Sequence, residues 1–416
     1  MVSEVSDIQA HDAVAVGPQL AASTRRRVAA FMLILVLEFF WSWSWNTVDV
    51  LRPQIREALR LTLTEAGSTY SAQGLGALVG ALVVGQLADR LGRRTMLVPV
   101  LVGYGAMTLA GLLVSSYPQL LAQRFVLGLC LGGSYPVVVA IYVDLFEQRI
   151  RGRLAAFMIA SFSLSLVTMG SVIKYVGDDW HLMFWIGGVP PLVLAALVPV
   201  LIPYRAAPPT RGSSALPVGE LFAPAFRLWT ISLTLLCGLN FFAYQAFTGW
   251  MTTYLKEVRH LSEGASGDLF ALQFLGYTLG AFFWGWVADR FGRKKAAGGF
   301  VLTAVTIFLF LRAGSSDALT VIGFIYGFGL SCSVIWGPWL AEIYPPHLRS
   351  TAVSIFHWGR IVSFIAPLVT GVLAERLGLT SAMMTASVVF ALAVAIWLTL
   401  PETLARGGQA ARQGAA

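Results

Sequence analysis

The sequence predicts an all-α polytopic membrane protein of twelve transmembrane helices in two pseudo-symmetric six-helix bundles, and three observations carry that reading. Apolar residues fill 57% of the 416 positions and charged residues only 12%, a balance that cannot cover a water-soluble globule with polar surface. Runs of the roughly 20 apolar residues needed to cross about 30 Å of hydrocarbon recur at 28–50, 66–88, 95–114, 118–142, 154–176 and 181–203. Six more follow at 229–254, 267–288, 296–314, 318–343, 351–373 and 380–400. Finally, Gly76, Gly80, Gly85, Asp89, Arg90, Gly92 and Arg93 return two hundred positions later as Gly276, Gly280, Gly285, Asp289, Arg290, Gly292 and Arg293. Seven identities in one register mark a duplication with six spans in each half.

Residues 1–24 are polar, lack an apolar core and precede an arginine triplet, so they read as a disordered cytoplasmic tail and not as a cleaved signal. The first bundle occupies 25–203. Ala206 to Pro217, rich in Pro, Ala, Ser and Gly, marks a linker over 204–228. The second bundle occupies 229–403, and 404–416 is a short tail.

The net charge of +8 is not a nucleic-acid footprint, because it lies in short loops on alternate sides of the spans. One set of loops holds Arg25 to Arg27, Arg90, Arg93, Arg94, Arg149, Arg151, Arg153, Arg290, Arg293, Lys294, Lys295 and Arg349. The opposite set holds only Arg52, Arg56, Arg60, Lys256, Arg259 and Arg376. The positive-inside rule puts the first set, both termini and the linker in the cytoplasm, with the chain in the cell membrane. Cys130, Cys237 and Cys332 fall inside apolar runs at spacings that suit neither a disulfide frame nor a metal site, which leaves packing as their role.

Glycines four apart share a helix face and let a second backbone approach, so each Gly-rich span is expected to pack tightly on a neighbour. Asp89 and Asp289 then end the second and eighth spans beside Arg90, Arg93, Arg290 and Arg293. A further duplicated pair sets Asp144 and Arg151 after the fourth span and Glu342 and Arg349 after the tenth, with one acid-to-arginine spacing. These acids and arginines are expected to meet as a cytoplasmic salt-bridge lattice.

The pattern Gly85-x-x-x-Asp89-Arg90-x-Gly92-Arg93-Arg94, its second copy and the acid-to-arginine loops resemble the signature of the major facilitator superfamily of transporters. The resemblance covers essentially the whole chain. It implies two bundles rocking about a central site by alternating access, with the loop charges latching the cytoplasmic gate while the site faces outward.

An ionisable side chain at mid-membrane costs about 2.5–3.5 kcal/mol, so each needs a partner or a task. In the first span Glu38, Ser42, Asn46 and Asp49 fall within about 80° on a helix that turns about 100° per residue, a polar stripe suited to lining a cavity; the alternative for Asp49 is a helix end near water. In the fourth span Arg124 shares a face with Gly128, Tyr135 and Tyr142, and in the eleventh His357 and Arg360 lie a turn apart. Lys174 and Arg312 read as snorkelling anchors at helix ends. Two arginines from different halves facing one cavity call for a negative partner. An anionic substrate supplies it, since the arginine fork matches a carboxylate bidentately.

Arg124-Phe125-x-x-Gly128-x-x-x-Gly132-Gly133, Tyr344-Pro345-x-x-x-Arg349-Ser350-Thr351, Gly359-Arg360 and Pro367 are similar to the organic-acid proton symporters, including the aromatic-acid and sialate groups. That resemblance implies the anion is held by Arg124 and Arg360. The aromatic-acid group carries Asp-Gly-x-Asp in its first span; here the stretch is Asn46-Thr47-Val48-Asp49, with only the second acid kept.

The sequence is therefore read as a secondary active transporter, a proton-coupled symporter of a small organic anion. Tyr135, Asn46, Asn240, Tyr244, Gln245, His357 and Trp336 are expected around the substrate, and Asp49, with Glu38 as alternative, carries the proton. A sugar or polyol porter is the rival, supported by Pro401-Glu402-Thr403. It is opposed by the seventh span, where Leu236-Cys237-Gly238-Leu239-Asn240 lacks paired glutamines, although Asn240 and Gln245 suit hydroxyls. A transport-dead receptor fits less well, because the linker and tail are too short for an output module. No nucleophile motif, metal spacing among the five histidines or phosphate-binding loop is present, so no enzyme, cofactor or nucleotide is expected. The expected partners are the bilayer, an anionic small molecule and the coupling proton, with the protein a monomer.

Overall fold

A computed structural model describes residues 23–146, 148–176, 179–203, 218–345, 348, 352 and 355–404. The tail over 1–22, most of the linker, the tail after 404, Arg349, and the side chains of Asp89, Asp144, Arg151 and His357 lie outside the described residues.

The first half is built from α1 (Thr24–Val50), α2 (Leu63–Leu91), α3 (Arg93–Ala110), α4 (Tyr117–Leu145), α5 (Gln148–Val176) and α6 (Leu182–Leu201). The second is built from α7 (Arg227–Phe247), α8 (Glu263–Phe291), α9 (Gly298–Arg312), α10 (Ser316–Leu330, continued by Trp336–Ile343), α11 (Ile355–Leu377) and α12 (Leu379–Thr399). Among the described residues, eleven helices are long and apolar enough to cross a membrane; α11, 23 residues long, is the twelfth long helix.

Three elements depart from the apolar runs. The chain breaks after α1 at Leu51 and restarts as a short helix, Arg52–Leu59, whose Pro53 sits in the first turn, where its missing N–H costs nothing. The seventh span leaves α geometry after Phe247 and ends in a π turn over Tyr254–Val258. The tenth tightens to a 3₁₀ turn over Ser331–Ile335 just before Pro338, which cannot donate to the preceding turn.

Within each half the duplicated glycines do the same job. A Cβ at Gly76 or Gly80 would strike the carbonyls of Phe125 and Leu129 on α4, and one at Gly276 or Gly280 would strike those of Phe324 and Phe328 on α10. Gly128 and Gly327 press back on the carbonyls of Gln73 and Gln273. Gly92 and Gly292, with φ of 95° and 107°, turn the chain between spans in a backbone region only glycine enters readily. Gly85 and Gly285 differ from the others, since a Cβ at either meets no atom within 4 Å.

The halves meet along α2 with α11 and α5 with α8, two pairs that exchange under the duplication. Gly67 lies against the Pro367 carbonyl, Gly371 against Leu63, and Gly170 against Gly267. All of these contacts lie toward the ends of the spans that carry few arginines, called here the arginine-poor end.

Candidate functional site

α1 carries most of the site and is fixed by its own indoles and hydroxyls. Trp41 Nε1 donates to the Leu131 carbonyl at 2.8 Å and Trp43 Nε1 to the Met183 carbonyl at 2.9 Å. Ser42 and Ser44 bind the carbonyls of Phe162 and Gly187 at 3.1 and 3.2 Å, and Asn46 Nδ2 donates to the Ser42 carbonyl at 2.8 Å. The expected polar stripe is therefore split. Ser42 and Asn46 are spent on backbone groups, while Glu38 and Asp49 meet charge.

Two charged groups form. In one, Asp49 lies in electrostatic reach of Arg52 and Arg124 and forms an ion pair with Arg52. Arg124, 2% exposed, donates to the Gln73 Oε1, and Gln73 Nε2 is held by the Trp45 carbonyl at 3.1 Å. In the other, Glu38 is buried within reach of Arg360, near the phenols of Tyr104 and Tyr135. Arg360 stacks on the Phe241 ring, 5.4 Å from its centroid. Tyr70 faces both Asp49 and Arg360, and Tyr244 faces Asp49 and Tyr70. Arg124 and Arg360 thus each have a protein acid at hand.

Sequence reasoning missed Arg52 and Gln73. Arg52, placed by sequence in the loop set opposite the cytoplasm, is buried: it is 1% exposed, pairs with Asp49, donates to the Gly249 carbonyl of the other half, and lies 4.4 Å over the Trp250 ring. The signal available was its place three residues after Asp49, a spacing that brings the two side chains together on a helical turn. Asn240 and Gln245 are buried, and their side-chain oxygens find no hydrogen-bond partner among the described residues. Trp336 packs in the second-half core, its ring 5.5 Å from Phe300 and 5.1 Å from Trp397.

At the arginine-poor end the polar contacts between halves are reciprocal. Arg52 donates to the Gly249 carbonyl, and Thr252 donates to the Asp49 carbonyl at 3.0 Å. Arg56 pairs with Glu257, and Lys256 reaches Glu57 at 3.5 Å. Lys174, expected as a lipid anchor, binds Asp268 across the interface at 3.1 Å, and Glu375 accepts from the Thr64 N–H at 2.8 Å. Arg312 folds over Phe308 at 4.3 Å.

At the arginine-rich end the described contacts stay within a half. Arg293 grips Asp289 at 2.6 Å and Glu342 at 2.7 Å, hydrogen bonds that raise the guanidinium above its ordinary value. Glu342 also accepts from Thr403 at 2.5 Å. Glu402 accepts from the N–H groups of Arg293 and Lys294, each at 2.9 Å, so the Pro401-Glu402-Thr403 run is a brace for this cluster. Arg290 stacks on Phe291, 5.9 Å from the ring centre. In the first half Arg93 donates to the Ala140 carbonyl at 3.3 Å, and Arg90 is exposed.

A duplicated twelve-helix frame with charges buried at its centre and ion pairs at its ends is the frame of a membrane transporter. The chain belongs to the Major Facilitator Superfamily, whose family model matches residues 34–267 and 238–415. It is 28% identical over 310 residues to the 3-(3-hydroxy-phenyl)propionate transporter of Escherichia coli (strain K12), covering 74% of each chain. It is 27% identical over 364 residues to a 4-hydroxybenzoate transporter of Pseudomonas putida, covering 78% of this chain and 80% of that one. Among solved structures, a bacterial homologue of the human lysosomal transporter Spinster shares the fold with a TM-score of 0.75 at 16% identity, over 90% of this chain and 97% of that one.

Proposed function

We propose that the protein is a proton-coupled symporter of a small organic carboxylate, an aromatic acid in the first instance, working by alternating access with its arginine-rich end and both termini in the cytoplasm. The observation that carries this reading is the charge balance of the site. Arg52, Arg124 and Arg360 stand against two acids, Asp49 and Glu38, so at least one positive charge is left over even with both acids ionised. A monocarboxylate balances it. The relatives named for hydroxyphenylpropionate and hydroxybenzoate transport agree in chemistry, and the unpartnered oxygens of Asn240 and Gln245 offer acceptors for a ring hydroxyl.

Arg124 and Arg360 hold the anion from the two halves, and Asp49 takes the coupling proton, with Glu38 as the alternative. A bound carboxylate draws on the same cations that neutralise the acid, so substrate and proton binding favour each other. No nucleotide is needed, because the proton gradient drives accumulation. The Asp289, Arg293 and Glu342 cluster, with its first-half counterparts Asp89, Arg90, Arg93, Asp144 and Arg151 and with Arg349, latches the cytoplasmic end when the site faces outward. Gly85 and Gly285 give that closure room.

The test is uptake of 4-hydroxybenzoate, lactate and hexoses into proteoliposomes under an imposed pH gradient. The wild type should accumulate the aromatic acid and acidify the lumen. Asp49→Asn should still bind and exchange it without accumulation. Accumulation with unchanged pH dependence in Asp49→Asn moves the proton to Glu38, its persistence in the double variant removes both, and accumulation of a hexose alone overturns the reading.

A further inference from the structure

The outer contact made by Arg52 is built differently from the others at the arginine-poor end. Arg56, Lys256 and Lys174 are partly exposed and pair with partly exposed carboxylates. Arg52 is buried, and its one ion-pair partner among the described residues is Asp49. The same guanidinium reaches into the other half, to the Gly249 carbonyl and the face of Trp250. The groups that face Asp49 are Arg52 from the adjoining short helix, Arg124 from α4, Tyr70 from α2 and Tyr244 from α7. Those facing Arg52 are Asp49, Tyr70, Arg56 and Arg124. One side chain therefore joins the proposed proton site to the seam between the halves.

Resting on the proton-symport reading above, we propose that Arg52 is the coupling residue of the outer gate: the arginine-poor end closes only while Arg52 has an anionic partner, either the Asp49 carboxylate or the carboxylate of the substrate. The physical reason is the cost of a buried, unpaired charge, several kcal/mol per ion even after relaxation. In the empty protein Asp49 neutralises Arg52 and the end shuts, as in this structure. When Asp49 takes a proton its carboxylate becomes neutral and Arg52 loses its partner. The cation then leaves for water, toward the outer cavity of about 390 Å³ lined by Pro53, Arg56, Glu57, Arg60, Leu61, Lys256 and Glu257, where solvent in place of a buried partner carries its charge. Its departure frees the Gly249 carbonyl and Trp250, so the protonated, substrate-free protein stays open outward. A substrate carboxylate brings Arg52 back and lets the end close over both ligands. A proton alone is refused passage.

Thr252, the residue two hundred positions beyond Arg52, makes the mirror contact to the Asp49 carbonyl with a hydroxyl, which has no charge to lose. The proton-sensitive half of the reciprocal pair is thus Arg52 alone.

The experiment follows a thiol placed behind this contact. Thr253→Cys, buried in the closed end, is introduced after Cys130, Cys237 and Cys332 are replaced by Ala. Its labelling from outside by a membrane-impermeant maleimide is measured at pH 8 and pH 5. Each rate is divided by that of an exposed Ser115→Cys reference at the same pH, which cancels the thiol's own titration. Without substrate the relative rate should rise at least about tenfold at pH 5, and 4-hydroxybenzoate should return it to the slow value. Asp49→Asn should label fast at both pH values, Asp49→Asn with Arg52→Gln slowly at both, and Arg52→Lys should keep the pH dependence. In substrate-free vesicles Arg52→Gln should raise proton entry at least about tenfold over the wild type.

A relative labelling rate that ignores pH in the wild type overturns the proposal, as does fast labelling that persists when Arg52→Gln is added to Asp49→Asn. These arms contain no substrate, so they stand even if 4-hydroxybenzoate is not transported. Loss of the substrate arm alone would count against the carboxylate-symport reading and against the substrate's part in closing the gate, leaving the link between Asp49 and Arg52 intact.

Discussion

The two halves of the molecule share a scaffold and differ in what it carries. Gly76 and Gly80 seat α2 on α4 as Gly276 and Gly280 seat α8 on α10, against carbonyls displaced by 199 positions. Gln73 and Gln273 are both fully buried. Yet two hundred positions beyond Glu38, Asp49 and Arg52 stand Gly238, Gly249 and Thr252, so four of the five charges near the centre belong to the first half and only Arg360 to the second. Duplication fixed the geometry of the two packed bundles. Divergence placed most of the buried charge in one of them.

The strongest way to break that asymmetry is to remove the arginines. Arg124→Ala and Arg360→Ala should each cost about 2–5 kcal/mol of substrate binding, or roughly 30-fold to several thousand-fold in affinity, read by titration calorimetry on purified protein. An affinity within about threefold of wild type in either variant would place the anion elsewhere.

The shared scaffold should fail equally in both halves. Gly80→Val and Gly280→Val force side chains into carbonyls and are expected to destabilise by about 1–3 kcal/mol or more, lowering the melting temperature by similar amounts. Gly85→Ala and Gly285→Ala, which meet open space in this state, should leave it nearly unchanged. A large drop from Gly85→Ala would show that the third glycine of the repeat packs as the first two do.

Smaller effects separate the reciprocal outer pairs from Arg52. Exposed ion pairs contribute about 0–1 kcal/mol, so Arg56→Glu should modestly increase outward accessibility and its combination with Glu257→Arg should restore it. High salt should erase the difference.

The smallest effect lies at the brace of the arginine-rich end. Burial alone would raise the Glu402 carboxyl, but N–H groups of Lys294, Arg293, Leu404 and Thr403 outweigh it and hold the group below its ordinary value of 4.5. A carboxyl depressed by folding stabilises above its unfolded value and loses that contribution as pH falls through the folded one. Glu402→Gln should therefore cost about 1 kcal/mol or less at neutral pH, with the gap in melting temperature to wild type closing as pH drops below the glutamate range.

The twelve spans, the duplication, the Gly-rich faces and the family were legible in the sequence, because hydrophobic length and i, i+4 spacing are properties of a single helix. Arg124, Arg360, Asp49 and Glu38 stood out for the same reason, as charges within apolar runs. Arg52 did not, since between it and Asp49 the chain breaks at Leu51, and whether the restarted turn faces water or the opposite half depends on where Gly249 and Trp250 lie. Glu402 was equally opaque, because two of the N–H groups that hold it, those of Arg293 and Lys294, lie more than a hundred positions away. Sequence alone determined the helices and the ionisable residues they hold; which cation meets which carboxylate across the pseudo-twofold seam was decided by tertiary packing, because burial and pairing are set by neighbours that no local pattern records.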